Sequence, residues 1–521
     1  MNPPSQVAFE PSAALAEPAT EPETGQAAPI AAPVTESVSE PAAAPADAPV
    51  SEPVTALTAA TRRSPARPPA APAEPLRDAP GPSGPITNGR NLLRLQKNCP
   101  ALFLDVSRQY GDLVRLPLGP YLTYLNTSPE GVNRVLVTNN ANYLRGPMYE
   151  RFKIFFGEGL LTTDGAEWKR RRQRVTPAFH KTAIERMTET MTSATAEVID
   201  RWYPAAATHT PVDVLDDVMD IALDAMGRIL FSTELAPIAD TVRPAMAVSL
   251  EAMIFKGTIS QMTPPWVPTP YQHRIRKAVA VLDKQVRLIV DAHRNSVREP
   301  GDMVDLILAS AGGPTPSYRE VRDEMTTVFM AGHETTGTGL GWMMLELAAN
   351  PHVQEEACTE VDRVLGDRTP TFDDLARLPY TRRIVDEVLR LHPPIWLFPR
   401  QAVEEDVVKG MRVEAGSSVF MVPYVTHRNP ELWPDPERFD PERFSPGASA
   451  GRPRFAYLPF GGGQRQCVGN QMALLQMHLT LAMTLQRYRL TLAGSRERQL
   501  ATLVSLRPTN GFPVRFEIRH A

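Results

Sequence analysis

The chain has 521 residues, and its 55 Lys and Arg against 59 Asp and Glu leave a formal net charge of -4, which excludes a broadly basic surface for nucleic acid. Its three cysteines, Cys99, Cys358 and Cys467, form no C-x-x-C pair and no even framework, which excludes a disulfide-stapled fold. The opening MNPPSQVAFEPSAALAEP lacks the basic and apolar regions of a signal peptide, and no uncharged apolar run reaches bilayer-spanning length. A soluble, cytoplasmic protein without a transmembrane anchor is expected.

Residues 1–85 are Pro, Ala, Glu, Ser and Thr with a single aromatic, Phe9. Such a stretch cannot bury enough apolar surface to offset chain entropy, so a disordered Pro/Ala-rich tail is expected, ending at the turn-rich PGPSGP (80–85). A tether, a docking segment and a solvated extension are all open readings of it. Residues 86–521 have globular composition, no internal repeat and no second low-complexity linker, which points to one large domain. Within it, YLTYLNTS (121–128) is strand-like. In WKRRRQR (168–174), Trp168 and Arg172 stand four apart and share a helical face, while Lys169, Arg170, Arg171 and Arg174 face other ways.

A long helix is predicted to start at Ser317, where S-Y-R-E forms a capping box with Glu320, and to run to the Asn350-Pro351 stop. About 32 residues at 1.5 Å each give roughly 48 Å, enough to cross a domain. In its middle, the glycine and threonines of AGHETT (331–336) weaken the backbone ladder, and a threonine hydroxyl that takes a helix carbonyl opens a groove for a small molecule or water. A tolerated polar patch is the other reading. In EVLRLHPP (387–394), Glu387 and Arg390 share a face before Pro393 and Pro394 end the helix, a spacing that by itself is usually a surface salt bridge.

FGGGQRQCVG (460–469) sets Cys467 just before a helix predicted over 471–488, whose Met472, Leu475, Leu479 and Met483 share one face. Unpaired N–H groups at that helix start favour an anionic sulfur. Gly461, Gly462, Gly463 and Gly469 leave room for a flat, bulky partner, Arg465 suits a carboxylate on it, and Phe460 walls the sulfur. A haem fits this description. A glycine-rich loop with an incidental cysteine, and a cysteine nucleophile without a histidine in the motif, are the alternatives.

The loop resembles the haem-binding signature F-x-x-G-x-R-x-C-x-G of the cytochrome P450 superfamily, extended by Ala473. AGHETT resembles A-G-x-[D/E]-T-T, EVLR resembles E-x-x-R, PERFDPERF (436–444) resembles P-x-x-F-x-P-x-R-F, and WKRRR resembles W-x-x-x-R. These motifs occur in the family's order, and the resemblance extends from about Pro82 to the C-terminus.

The resemblance implies a mainly α fold with a small β region (α+β) that binds haem b, iron protoporphyrin IX. Cys467 would hold the iron, Trp168, Arg172, Arg400 and Arg465 the propionates, with Phe460 and Gly469 beside them. Glu334 and Thr335 would deliver protons to dioxygen. Glu387, Arg390 and Arg443 would form a buried network behind the cysteine loop. His333 carries no ligand role and is expected at a helix surface or in packing. The implied activity inserts one oxygen atom from dioxygen into a hydrophobic small molecule. No flavin or nicotinamide fingerprint is visible, so electrons would come from a separate ferredoxin or flavodoxin with its reductase.

Substrate contact is implied for 148–156, 329–331, 395–398 and 503–506. The cations Lys169, Arg170, Arg171 and Arg174 are read either as a docking patch for the electron donor or as a solvated face. The tail stands where microsomal members carry a membrane anchor. A peroxygenase or isomerase without reductase, and a haem sensor or carrier, are the competing functions.

Overall fold

The computed structural model describes residues 76–118, 121–232, 239–253, 269–295, 303–308, 316–502 and 504–519. The expected tail up to residue 75, and Leu503 among the expected substrate contacts, lie outside the described residues.

The described chain enters through β1 (Arg77–Asp78) and α1 (Pro85–Tyr110), followed by the antiparallel pair β2 (Leu113–Leu118) and β3 (Tyr121–Asn126). After β4 (Tyr143–Leu144) come α2 (Pro147–Phe156), α3 (Gly165–Val175) and α4 (Thr188–Arg201). β5 (Val212–Asp213) precedes α5 (Leu215–Phe231), α6 (Ala239–Met253) and α7 (Pro270–Asn295). The centre is α8 (Tyr318–Ala349), which α9 (Pro351–Leu365) and α10 (Pro379–Leu391) follow.

Next come the short strands β6 (Phe398–Ala402), β7 (Asp406–Val408), β8 (Met411–Val413) and β9 (Ser418–Met421). The chain closes with α11 (Asn470–Arg487) and strands β10 (Tyr488–Leu492), β11 (Leu500–Thr502), β12 (Leu506–Pro508) and β13 (Pro513–Ile518). The largest sheet has the order β2-β3-β9-β6-β4, with β3 and β9 parallel. Helices dominate and the strands gather in small sheets, as the α+β expectation required.

The capping box at the start of α8 is formed: Glu320 N donates to Ser317 Oγ at 3.3 Å, and Ser317 N donates to Glu320 Oε2 at 2.9 Å. From there α8 runs unbroken through AGHETT and the Gly337 that follows it, and Gly332 and Gly337 each disfavour helix by about 1 kcal/mol relative to alanine. Close packing offsets that cost. A Cβ on Gly337 would come within 2.5 Å of Met219 Sδ, and one on Gly332 within 2.7 Å of Met226, so both glycines let α5 lie directly on α8. The opposite side carries α11, whose Met472, Leu475, Leu479 and Met483 are all buried. Among the described residues no helix is long and apolar enough to cross a membrane.

β1 falls within the stretch that composition assigned to the tail. It pairs in parallel with β8, Arg77 opposite Met411, and Arg115 N donates to Pro80 O at 2.8 Å. These contacts use backbone groups, so they leave little trace in hydrophobic composition.

Candidate active site

Cys467 lies where the glycine loop meets α11, and its backbone N–H donates to Phe460 O at 3.0 Å. Gly461 and Gly463 have φ near +67° and +68°, the left-handed region where a side chain is strained. A Cβ on Gly463 would also lie 2.1 Å from Leu136 O, and one on Gly462 2.4 Å from the Phe455 ring. Gly462 and Gly463 therefore serve the loop's own turn and packing, a role the sequence reading did not give them. Gly469 lies at the start of α11, where a Cβ would meet the Phe179 ring at 3.3 Å.

The Cys467 side chain is exposed toward open space on one side and crowded by protein on the others. That crowding raises its thiol above the usual cysteine value, and the Gly469 N–H and the Arg172 guanidinium only partly counter it. The helix start alone thus does not produce the stabilised thiolate expected from sequence. A cation that displaces the proton is needed, which fits a thiolate ligand to iron.

The loop is held from behind. Arg390 Nε and Nη2 donate to Glu387 at 2.7 and 2.8 Å, and both side chains are fully buried. Arg443 approaches Glu387 at 3.5 Å, and Asp440 N donates to Glu387 Oε1 at 2.8 Å. Arg390 Nη1 also donates to His427 O at 2.8 Å, while Leu458 N donates to His427 Nε2 at 3.0 Å. Through His427 the charge network reaches the residues that lead into the cysteine loop.

Three guanidiniums converge beside it. Arg465 stacks over Trp168 with its Cζ 4.4 Å from the ring centroid, and its Nη2 donates to Asp164 Oδ1 at 2.5 Å and to Thr163 O at 2.8 Å. Arg145 lies over the buried Tyr149 ring at 4.5 Å, and Arg400, also buried, adjoins both. Burial, then the neighbouring Arg145, lowers Arg400 to about 10 and Arg465 to about 9. Burial alone would raise the Tyr149 phenol, but Arg145 and Arg400 outweigh it and draw it below the usual tyrosine value.

Arg145 Nε and Arg465 Nη1 are buried without a hydrogen-bond partner. Among the described residues Asp164 is the carboxylate that faces this group, so two positive charges stay uncompensated. Two propionates of a haem would match that charge and fill the orphaned donors. Sequence reading missed Arg145 and Tyr149. Arg172, grouped with them by motif, turns elsewhere: its Nη1 donates to Gln466 O at 2.9 Å, and with Thr176 and Phe179 it lines a cavity of about 190 Å³ that reaches Cys467. One turn of helix separates Trp168 from Arg172, and the two address different sides of the cysteine loop.

α8 supplies the third part. From Met325 to Ala348 nearly every residue is buried, except Ala331, which is exposed, and Gly332 and Thr335, which are half-buried. Ala331 and Thr335 are one turn apart, so they form a window on one face of an otherwise enclosed helix. Thr335 Oγ1 donates to Ala331 O at 2.6 Å, the carbonyl capture expected from the motif. Glu334 is buried and accepts from Ser505 Oγ at 2.5 Å, with Arg507 Nη1 3.6 Å away. Thr335 and Glu334 are therefore neighbours in sequence with separate partners.

His333 is buried and stacks on Phe329 at 6.3 Å, a packing residue. Of the expected substrate contacts, Phe329, Met330, Phe155 and Phe156 are buried in the core, and Met148 and Ile395 are partly buried. The reading of four cations as one open basic face is corrected for Arg171 and Arg174, while Lys169 and Arg170 are exposed. Arg171 is buried against Glu324 at 2.9 Å, Arg174 is buried 3.6 Å from Glu320, and Arg170 pairs with Glu167 and Glu320 at 2.8 and 2.7 Å. These pairs fasten α3 to the first turns of α8; Lys169 stays exposed.

Residues 80–515 match the family described as Cytochrome P450. The chain is 35% identical to cyclooctatin synthase of Streptomyces melanosporofaciens over 80% of its own length and 90% of the relative's. It is 32% identical to cyclooctat-9-en-7-ol 5-monooxygenase of the same organism, over 80% and 93%. Among solved structures, the heme domain of cytochrome P450DA superposes with a TM-score of 0.77 at 25% identity, covering 85% of this chain and 98% of that one. A family match across most of the chain, a shared fold and a site suited to haem agree: the chain belongs to the cytochrome P450 family, and it is a haem-thiolate monooxygenase that uses dioxygen, a substrate and redox partners.

Proposed function

We propose that this enzyme uses haem b to insert an oxygen atom into an apolar, alicyclic alcohol or hydrocarbon. The observation that carries the cofactor assignment is the group of Arg145, Arg400, Arg465 and Tyr149, with two charges uncompensated, beside the Cys467 loop. When bound, haem supplies the dioxygen-activating iron chemistry. Cys467 is the thiolate ligand, and Phe460 and Gly469 fix its approach. Arg145, Arg400 and Arg465 hold the propionates, Trp168 supports Arg465 by stacking, and Arg172 steadies the Gln466 carbonyl next to the cysteine.

Thr335 sits at the window of α8, where its hydroxyl, once released from Ala331 O, would donate toward a reacting oxygen, and Glu334 would supply protons. The name of the relative that oxygenates an ene-ol, cyclooctat-9-en-7-ol, supports the substrate class. Phe329 and Met330, which precede the window on α8, belong to a buried apolar cluster, and such surroundings favour the same class.

Electrons come from a ferredoxin or flavodoxin in the cytoplasm. Lys169, exposed on α3, and Arg172, which lines the cavity that reaches Cys467, offer such an acidic partner a contact. The catalytic domain includes β1 and Pro80, which pair with β8 and Arg115, so it begins before the residue-85 boundary expected from composition. The test is titration of the haem-loaded enzyme with a panel of alicyclic alcohols, read by spin-state change and then by mass of products. A compound that shifts the spectrum and gains one oxygen atom under reductant supports the proposal. Conversion of the same compounds with peroxide alone, and none with reductant, would favour the peroxygenase alternative.

A further inference from the structure

The acid of AGHETT is held by a part of the chain far from it in sequence. Ser505 is fully buried, and its Oγ–H donates to Glu334 Oε1 at 2.5 Å. Arg507 Nη1 stands 3.6 Å from the same oxygen. Residues 505 and 507 alternate about Leu506 and so present their side chains to one face. Leu506 itself is pinned at both backbone groups, its N–H donating to Pro394 O at 3.0 Å and its carbonyl accepting from Trp342 Nε1 at 2.8 Å. The two side chains that meet Glu334 therefore sit on a rigid segment.

Thr335 lies about 100° further round the helix than Glu334, and its hydroxyl is engaged with Ala331 O on the window side. A side chain tied at Ser505 and Arg507 is turned from that window. We propose that Ser505 and Arg507 are positioning residues for Glu334: they hold the carboxylate on the flank of α8, and it reaches the window after leaving them. This rests on the reading of Glu334 and Thr335 as the proton-delivery pair. Removing both contacts frees the side chain to enter the window, where a charged group alters the field felt by a small diatomic ligand.

Carbon monoxide is the probe, because its C–O stretch reports that field without substrate or redox partner. The full-length, haem-loaded enzyme is reduced with dithionite, exposed to carbon monoxide and measured by infrared spectroscopy. The parent and Glu334→Gln share one band, since the acid is already held away. The Ser505→Ala/Arg507→Gln variant shows a shifted band, Ser505→Thr/Arg507→Lys keeps the parental one, and adding Glu334→Gln to the first pair restores it. A parental band in Ser505→Ala/Arg507→Gln, or a shift that persists after Glu334→Gln is added, overturns the proposal.

Failure of the underlying reading looks different. With a ferredoxin and its reductase, Glu334→Gln should raise the peroxide released per dioxygen consumed. An unchanged ratio would refute proton delivery by Glu334 while leaving the infrared result to stand.

Discussion

Arg145 carries an expectation that separates the arginines by role. Its Nε is buried without a partner and its guanidinium lies over Tyr149, so the account assigns it to the haem carboxylates. Arg145→Ala should release haem to apomyoglobin several-fold faster than the parent, while Arg172→Ala, whose side chain binds the Gln466 carbonyl, should leave that rate near the parental value. Equal acceleration in both would mean that the cluster is not the carboxylate site. At the window, Thr335→Ala should keep reductant consumption and shift products toward peroxide; tight coupling in that variant would remove Thr335 from proton handling. At this scale the motifs were legible where residues are close in sequence, as with Cys467 and Arg465. Arg145 and Tyr149 were not, because they meet Arg400 and Arg465 through the fold and obey no spacing. Ser505 and Arg507 were hidden for the same reason.

Element ends give the next expectations. Glu320 is drawn from its ordinary value near 4.5 to about 2 by the Ser317 N–H and, after a burial effect of opposite sign, by Arg170. A carboxylate lowered in the folded state contributes stability that is present above about pH 4.5 and is lost as pH falls through about 2. Glu320→Gln should therefore lower the melting temperature at pH 7, with a gap from the parent that narrows below pH 4.5; a gap constant down to pH 2 would contradict the linkage. In the cysteine loop, Gly463→Ala should impair haem uptake, since its Cβ would run into Leu136 O and the left-handed backbone would be strained. Normal uptake in that variant would show that the loop tolerates a different turn. Helix ends marked by a cap or a proline, such as those of α8, could be read in advance. The basic run in α3 was misread at Arg171 and Arg174 because their carboxylate partners, Glu324 and Glu320, lie on α8, so that pairing across elements took those two cations into the interior.

Across the whole molecule, the Glu387–Arg390–Arg443 network joins α10 to the segment that leads into the cysteine loop. Removing one member of a buried pair typically costs about 3–5 kcal/mol, because the other charge stays behind. The domain class was legible from long helical patterns and motif order, whereas two-residue strands such as β1 and β4 depend on partners that no local pattern names. The central claim is that Cys467 is the thiolate that binds haem iron. Its most direct test is the absorption spectrum of the purified, reduced protein under carbon monoxide, for the parent and for Cys467→Ala expressed with ample haem precursor. The account predicts a strongly red-shifted Soret band in the parent and its loss in the variant. A parent without haem, or a variant that keeps the red-shifted band, would contradict it.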